Sequence, residues 1–481
     1  MTRRSFTHSA LPAPGRRAFL GRGAALGLGG VLPWLGCPLP AAAADYKALV
    51  CVFLNGGNDG LNTVLPADAA RHAQYAAVRG ALALPRASLL PLSGTDLGLH
   101  PALAPLLAAW QEGALAPVLN IGPLAGPLSK AQYRSALPGS AGVPPSLFSH
   151  AGQQLLWHCA GVDGMARAGW GGRAAEALAT VNPVISANGN DRFGLSTARA
   201  QIVVPGPGEQ FGAYLIQGDS LLWAPAALRR AAIDALYGPV QDSTVAGAVA
   251  QVTRDAFAIS DRLGPTLLAK PGSQAGFAAI DNAFAPVIAG GSVRAGLAAQ
   301  LYQTAKLIAA REVVQGSRQI FYVQLDGFDT HAGQIDSAGP LSGRHALLLA
   351  DLASALAAFH AAMKALGLAG AVTSFTQSDF GRTFKPNGNR GTDHAWGNHH
   401  LVLGGAVRGG QAYGALPELV LGGADDVGVD AWELQGRWIP TLSVDQYAAT
   451  LLAWFGASAA QQDSVLPNLA NFGAARTLGF V

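Results

Sequence analysis

The chain is short of charge. Of its 481 residues only 13 % are charged, while 50 % are hydrophobic. A composition this poor in charge excludes a long disordered chain and leaves ample apolar material for a core. Cysteine is scarce as well: there are three, and no Cys-x-x-Cys pair that would suggest a zinc knot. The small basic excess, 32 residues against 29 acidic, is also misleading. Five of the arginines precede Asp45, which leaves 27 basic against 29 acidic residues in the remainder. No basic stripe remains to bind nucleic acid, and no repeat of fixed period is visible.

What is present begins with a leader. Gly15-Arg16-Arg17-Ala18-Phe19-Leu20 sets paired arginines before Phe-Leu, an apolar Gly/Ala-rich run extends from Ala24 to Leu35, and Ala41–Ala44 offers small residues to a peptidase. A charged region, an apolar run and a cleavage site in that order form an export signal. The run falls short of the ~20 residues a membrane helix needs. Residues 1–44 are therefore expected to be a twin-arginine signal peptide, and residues 45–481 a single periplasmic or secreted domain with no membrane span. Cys37 leaves with the leader, and Cys51 lies in an apolar strand pattern. Whether Cys51 pairs with Cys159 in an oxidising compartment stays open.

Ala48–Leu54, Leu115–Ile121, Gln319–Leu325, Ala371–Thr376 and His400–Leu403 read as buried strands. Leu99–Glu112, Val293–Gln315 and Leu341–Leu366 carry apolar residues at helical spacing. The alternation predicts an α/β fold: a central, mostly parallel sheet with helices on both faces. Residues 189–286 are harder to place and read as a cap or insertion, with helices over Leu228–Leu236 and Val245–Leu263.

Polar clusters follow these strands, where open α/β sheets bind ligands. Asn55-Gly56-Gly57-Asn58-Asp59-Gly60-Leu61-Asn62 is either a tight Asn/Gly turn or a site in which Asp59 offers a hard oxygen ligand. Asp326-Gly327-Phe328-Asp329-Thr330-His331 crowds two carboxylates and an imidazole, a set that suits zinc, manganese or iron. In Gln377-Ser378-Asp379-Phe380-Gly381-Arg382, Asp379 is a candidate ligand and Arg382 a candidate grip for an oxyanion. His394 is the preferred ligand of Thr392-Asp393-His394-Ala395-Trp396-Gly397-Asn398-His399-His400. Ser149, before His150, is a helix N-cap or a nucleophile. Gly169-Trp170-Gly171-Gly172-Arg173 opens another helix, for packing or substrate contact.

Taken together, the arginine-pair leader, FLNGGNDGLNTVLP, the Ser-His segment before QQLLW, GWGGR, QLDGFDTHAGQ, SDFGRT and DHAWGNHHLVLGG resemble the family named domain of unknown function 1501. The resemblance implies an alkaline-phosphatase/sulfatase-like fold, export, and a second exported protein of unknown function as a companion. In that superfamily two divalent metals flank a nucleophile. Carried onto this chain, Asp59 and Asp379 would hold one metal, with Ser149 as nucleophile. Asp326 or Asp329, His331 and His394 would hold the other, and Arg382 would bind the ester oxygens. The chain departs from the pattern in three places. Phe380 stands where an imidazole follows the aspartate, the Asp326 to His331 spacing is off by one, and no Cys-x-Pro-x-Arg motif supplies a formylglycine. The expected function is a metal-dependent hydrolase of phosphate or sulfate esters, of small molecules or a polymer, using zinc, manganese, iron or calcium. The alternatives are a non-catalytic exported binding or scaffold protein on the same fold, and another metal-assisted chemistry.

Overall fold

The computed structural model describes residues 45–136, 142–161, 168–239 and 243–481; the expected leader lies outside them. Eight strands make the main sheet: β1 (Lys47–Asn55), β2 (Leu115–Gly122), β3 (Ile185–Ser186), β4 (Ile202–Val203), β5 (Arg318–Asp326), β6 (Val372–Ser378), β7 (Asn398–Gly404) and β8 (Leu442–Ser443). Their order is β8-β2-β7-β6-β1-β5-β3-β4. β7 runs antiparallel to both its neighbours, and every other pairing is parallel. All five strands expected from apolar runs are present.

The pleat of β1 explains its unbroken apolar sequence. Successive side chains point to opposite faces. Ala48, Val50, Val52 and Leu54 enter one core, and Leu49, Cys51 and Phe53 the other. Both faces are covered by helices, as parallel sheets require. The helices that matter for the core and the site are α1 (Ala69–Arg79), α2 (His150–Cys159), α3 (Trp170–Ala177), α4 (Thr244–Leu268), α5 (Leu297–Ala309), α6 (Arg344–Ala365) and α7 (Val444–Phe455). Leu301 and Ile308 of α5 and Leu352 and Phe359 of α6 belong to the first core. Trp157 of α2, Trp170 of α3 and Leu451 and Phe455 of α7 belong to the second. Among the described residues α6 alone has the length and apolarity of a membrane-crossing helix, but 61 % of its most apolar stretch is buried inside the protein.

Three elements differ from the sequence expectation. Over Leu99–Glu112 a regular helix forms only at Leu107–Gln111, preceded by a 3-10 turn at Pro101–Leu106. Pro105 supplies no N–H and obstructs the preceding turn, so the α-helix starts after it. The helix expected from Val293 begins at Leu297, beyond Gly296 with its φ of 83°. The segment 189–286 carries its expected helices, at Ala224–Leu236 and in α4, but it is not separate from the sheet: β4 lies within it and pairs with β3 as the edge strand.

Candidate metal centre

The polar loops meet beyond the carboxyl ends of β1, β5 and β6. β1 and β5 are in register from Lys47–Arg318 to Asn55–Asp326, so both chains leave the sheet at the same level. Gly56 and Gly57 follow β1 with φ of 114° and 85°. A Cβ on Gly56 would lie 2.3 Å from the Asp329 nitrogen, and one on Gly57 2.4 Å from the Phe380 ring. Only glycine allows the loops to approach this closely. His150 is the first residue of α2, and the loop after β6 carries His394, bridged in antiparallel fashion to Arg382.

Three imidazoles point the same way. His150 Nδ1 lies 2.6 Å from Asp379 Oδ2, His331 Nδ1 2.8 Å from Asp393 Oδ1, and His394 Nδ1 2.8 Å from the Phe148 carbonyl oxygen. Each partner only accepts, so each neutral ring carries its N–H on Nδ1 and a lone pair on Nε2. All three Nε2 atoms converge on Asp329 Oδ1, at 3.4 Å from His150, 3.3 Å from His331 and 3.6 Å from His394. The Nε2 atoms of His331 and His394 are 2.8 Å apart, and that of His150 is buried with no hydrogen-bond partner. Lone pairs gathered in this way repel one another unless a cation lies among them, either a shared proton or a metal ion. The donor set fits a metal. Imidazoles oriented through their other nitrogen by a carboxylate or carbonyl are the usual metal ligands, and tetrahedral ligands ~2.0–2.1 Å from zinc stand roughly 3.3 Å apart. Ligand atoms of His150, Asp329 and His394 all lie within 4.8 Å of one another.

The surroundings tune these groups. The hydrogen bond to Asp379 raises His150 above the usual histidine range, against the opposing effect of burial. Burial lowers His394 and favours its neutral, ligating form. Burial alone would raise Asp329, but the hydrogen bond and charge of Arg382, with His150 and His331, hold it below the usual carboxylate range. Phe380 is fully buried, with its ring centroid 4.5 Å from that of His394 and 4.8 Å from that of His150. It is the apolar floor of the cluster. Position 380 carries no imidazole, and the one that meets Asp379 is that of His150, reaching it from α2.

The residues expected from the sequence divide into those in the cluster and those outside it. Asp329, His331 and His394 are in it, and Asp379 stands behind His150, its Oδ1 accepting from the Gly56 amide at 2.9 Å. Asp326 stands aside, accepting from Asn55 and Gln324 at 2.7 Å each. Asp59 is not beside Asp379. It is buried and ion-paired with Arg79 from the last turn of α1, and its Oδ2 also accepts from Gln334. Arg382 faces no open space. Its guanidinium donates to the carbonyls of Gly56, Gly57, Phe328 and Thr392 and to Asp329, so it pins loops rather than gripping an ester. Ser149 is exposed and caps α2, its Oγ 3.5 Å from the Gly152 amide. A Ser149→Ala variant should therefore lose about 1 kcal/mol of stability at most, read as a small shift of the thermal midpoint, with metal content unchanged. A loss of any ester hydrolysis by more than a hundredfold would restore the serine as nucleophile.

The sequence reading passed over His150. A signal was present: His150, Gln154 and His158 recur every fourth residue on an otherwise largely apolar segment, which sets them on one helix face.

Residues 292–430 match the model of a family described as "Protein of unknown function (DUF1501)", which supports the resemblance drawn from the motifs. The match includes Asp326, Asp329, His331, Asp379, Arg382 and His394 but neither Asp59 nor the His150 segment. No curated protein matches the sequence. Among solved structures the chain is similar to one described as "Crystal structure of Ps i-CgsB in complex with k-i-k-neocarrahexaose". The identity is 10 %, over 89 % of this chain and 77 % of that one, with a TM-score of 0.35, too loose a likeness to fix a site.

Proposed function

We propose that the protein is a metal-dependent hydrolase of phosphate or sulfate esters on an alkaline-phosphatase/sulfatase-like scaffold, exported by its twin-arginine leader to the periplasm or beyond. The observation that carries the catalytic part is the convergence of three imidazole Nε2 atoms on the Asp329 carboxylate. His150, His331, His394 and Asp329 would hold one divalent ion. Such an ion would supply Lewis acidity, polarising an ester oxygen and making water a better nucleophile near neutral pH. The side chains around it orient the ligands: Asp379 turns His150, Asp393 turns His331, and the Phe148 carbonyl turns His394. Arg382 fixes the Asp329 carboxylate from behind. With imidazole as the majority donor, zinc, manganese and iron suit the set better than calcium, which takes oxygen ligands. The ester class rests on the motif resemblance, and the export on the residues of the leader.

A second reading, a metal-bearing binding protein without catalysis, is favoured by the engagement of Ser149 and Arg382 in local structure. Elemental analysis of the mature protein, beside assays with p-nitrophenyl phosphate and p-nitrophenyl sulfate, separates the two. Near-stoichiometric metal with hydrolysis abolished by a chelator supports the hydrolase. Metal without hydrolysis of any ester leaves the binding protein. Absence of metal after each ion has been supplied overturns both.

A further inference from the structure

α4 is 25 residues long, and its two halves are packed very differently. In the second half, Leu263 and Leu267 enter the first core with Leu301 and Ile308 of α5. Lys306 of α5 fixes that end, its Nζ donating to the Thr266 and Leu267 carbonyls at 2.9 and 3.2 Å. The first half is largely exposed. Ser243 caps its start, the Oγ accepting from the Ala246 amide at 3.1 Å.

The sequence of α4 does not change character where its burial does. Val245, Val249, Val252, Ala256, Ile259 and Leu263 are spaced by four and three residues in alternation. This is the period of a seam that packs against a second helix. At Leu263 the stripe is in the core, and at Ile259 it is partly covered. Val245, Val249 and Val252 stand in solvent at 74, 51 and 69 % exposure, with Ala256 exposed beside them. A seam that the fold uses along one half of the helix is left open along the other.

The open stretch is nearly free of charge. From Val245 to Ile259 there is one arginine, one aspartate and no lysine. Arg254 is turned to its own fold, donating to the Tyr237 and Gly238 carbonyls, and Asp255 accepts from Gln251 at 2.7 Å. An anionic lipid surface is held by Lys and Arg beside an apolar face, and a charged partner is chosen by opposite charge. Neither is on offer here, whereas the stripe complements itself. With two copies antiparallel, Val249 of one meets Val252 of the other and Val245 meets Ala256, each layer occurring twice about a two-fold axis. Asp255 then faces Ala248 of the other copy, so no like charges meet. Antiparallel pairing also sets the two bodies at opposite ends of the seam, where a parallel pair would crowd them at one end.

We propose that the exposed half of α4 is a self-association surface, on which a second copy of this chain lays the same stripe in the opposite direction. The seam is about 17 Å long at 1.5 Å per residue. It covers on the order of 300 Å² on each copy, below the ~800 Å² per partner of standard stable complexes, so the dimer is reversible and half-formed at roughly 10–100 µM. Sedimentation equilibrium of the mature protein across the micromolar range should show the average mass rise from monomer to dimer. Val249→Lys and Val252→Glu, both at exposed positions, should each weaken association at least tenfold with the thermal midpoint unchanged. Mixing the two variants should restore it, because the introduced lysine and glutamate share a layer only when the helices run antiparallel. A monomer mass at every concentration, association indifferent to both substitutions, or a mixture no better than the single variants would overturn the proposal. So would a monomeric wild type that binds phosphatidylcholine/phosphatidylglycerol vesicles through Val252, which would give the stripe to a membrane.

Discussion

Replacing His394 with alanine is expected to abolish metal binding at the proposed centre and, with it, the proposed ester hydrolysis. The His394 ring stands within 4.6 Å of the His331 ring and 4.4 Å of the His150 ring, centroid to centroid, and its Nε2 is one of the three that meet at Asp329. Removing it takes one of the three residues, His150, Asp329 and His394, whose ligand atoms all lie within 4.8 Å of one another. His150→Ala should act alike, and this is the sharper test, because the His150 segment lies far in sequence from the polar loops after β5 and β6. Asp379→Asn should be milder. It keeps the volume of a fully buried side chain but weakens the acceptor that turns His150. Loss of such an outer partner typically costs ~10–100-fold in metal affinity. Titration calorimetry should thus rank wild type, Asp379→Asn and the two histidine variants in descending affinity, with more than a hundredfold between the ends. Wild-type affinity in His150→Ala would show that the centre is not built on α2.

The second large effect is on stability and leaves the metal alone. Asp59→Ala should destabilise the fold by about 3–5 kcal/mol, the usual cost of leaving one member of a buried ion pair uncompensated. Arg79 and Asp59 are 0 % and 1 % exposed. Without the carboxylate, the Arg79 guanidinium keeps the carbonyls of Thr383 and Phe384 and the Asn62 side chain but has no counter-charge. Burial raises the Asp59 carboxyl, yet Arg79, His345 and Gln334 together hold it below the usual range, so it is the charged form that the fold needs. Asp59→Leu/Arg79→Met should cost much less than either single change, since it removes both charges and keeps apolar volume. Denaturant midpoints with unchanged slope would measure all three, and metal content should be unaffected throughout. A stable Asp59→Ala protein lacking metal would return Asp59 to the role its motif first suggested.

The contrast between Asp59 and Asp329 explains how much of the site was legible. Both lie in Gly/Asn/Asp-rich loops after apolar strands, and the strands were readable because they are apolar on both faces. Which carboxylate faces the cluster was not. The partner of Asp59 is twenty residues away on α1, at a position where an arginine reads as an ordinary helix end. Arg382 was misread for a related reason: four of its acceptors are main-chain carbonyls, which leave no mark in a sequence. Ser149 and His150 are adjacent, and of the two only the serine has a role that its local sequence reveals. The serine was legible as a cap, whereas the ring acquires its role only when α2 is laid against β6.

The strand order also decides when the protein can become itself. β1, the first strand of the described chain, sits at the centre of the sheet, with Lys47 opposite Arg318 and Ala48 opposite Val372. Both neighbours are made some 270 residues or more later. A nascent chain therefore holds its most central strand without a pairing partner until β5 and then β6 have been synthesised. Contacts so remote in sequence slow folding, and in the interval an apolar nine-residue segment beside the N-terminal region stays available to other molecules. Assembly must wait for β5 and β6, so a product that ends before them should lack even the middle of the sheet, and a chaperone that shields residues 47–55 would have a long period in which to act.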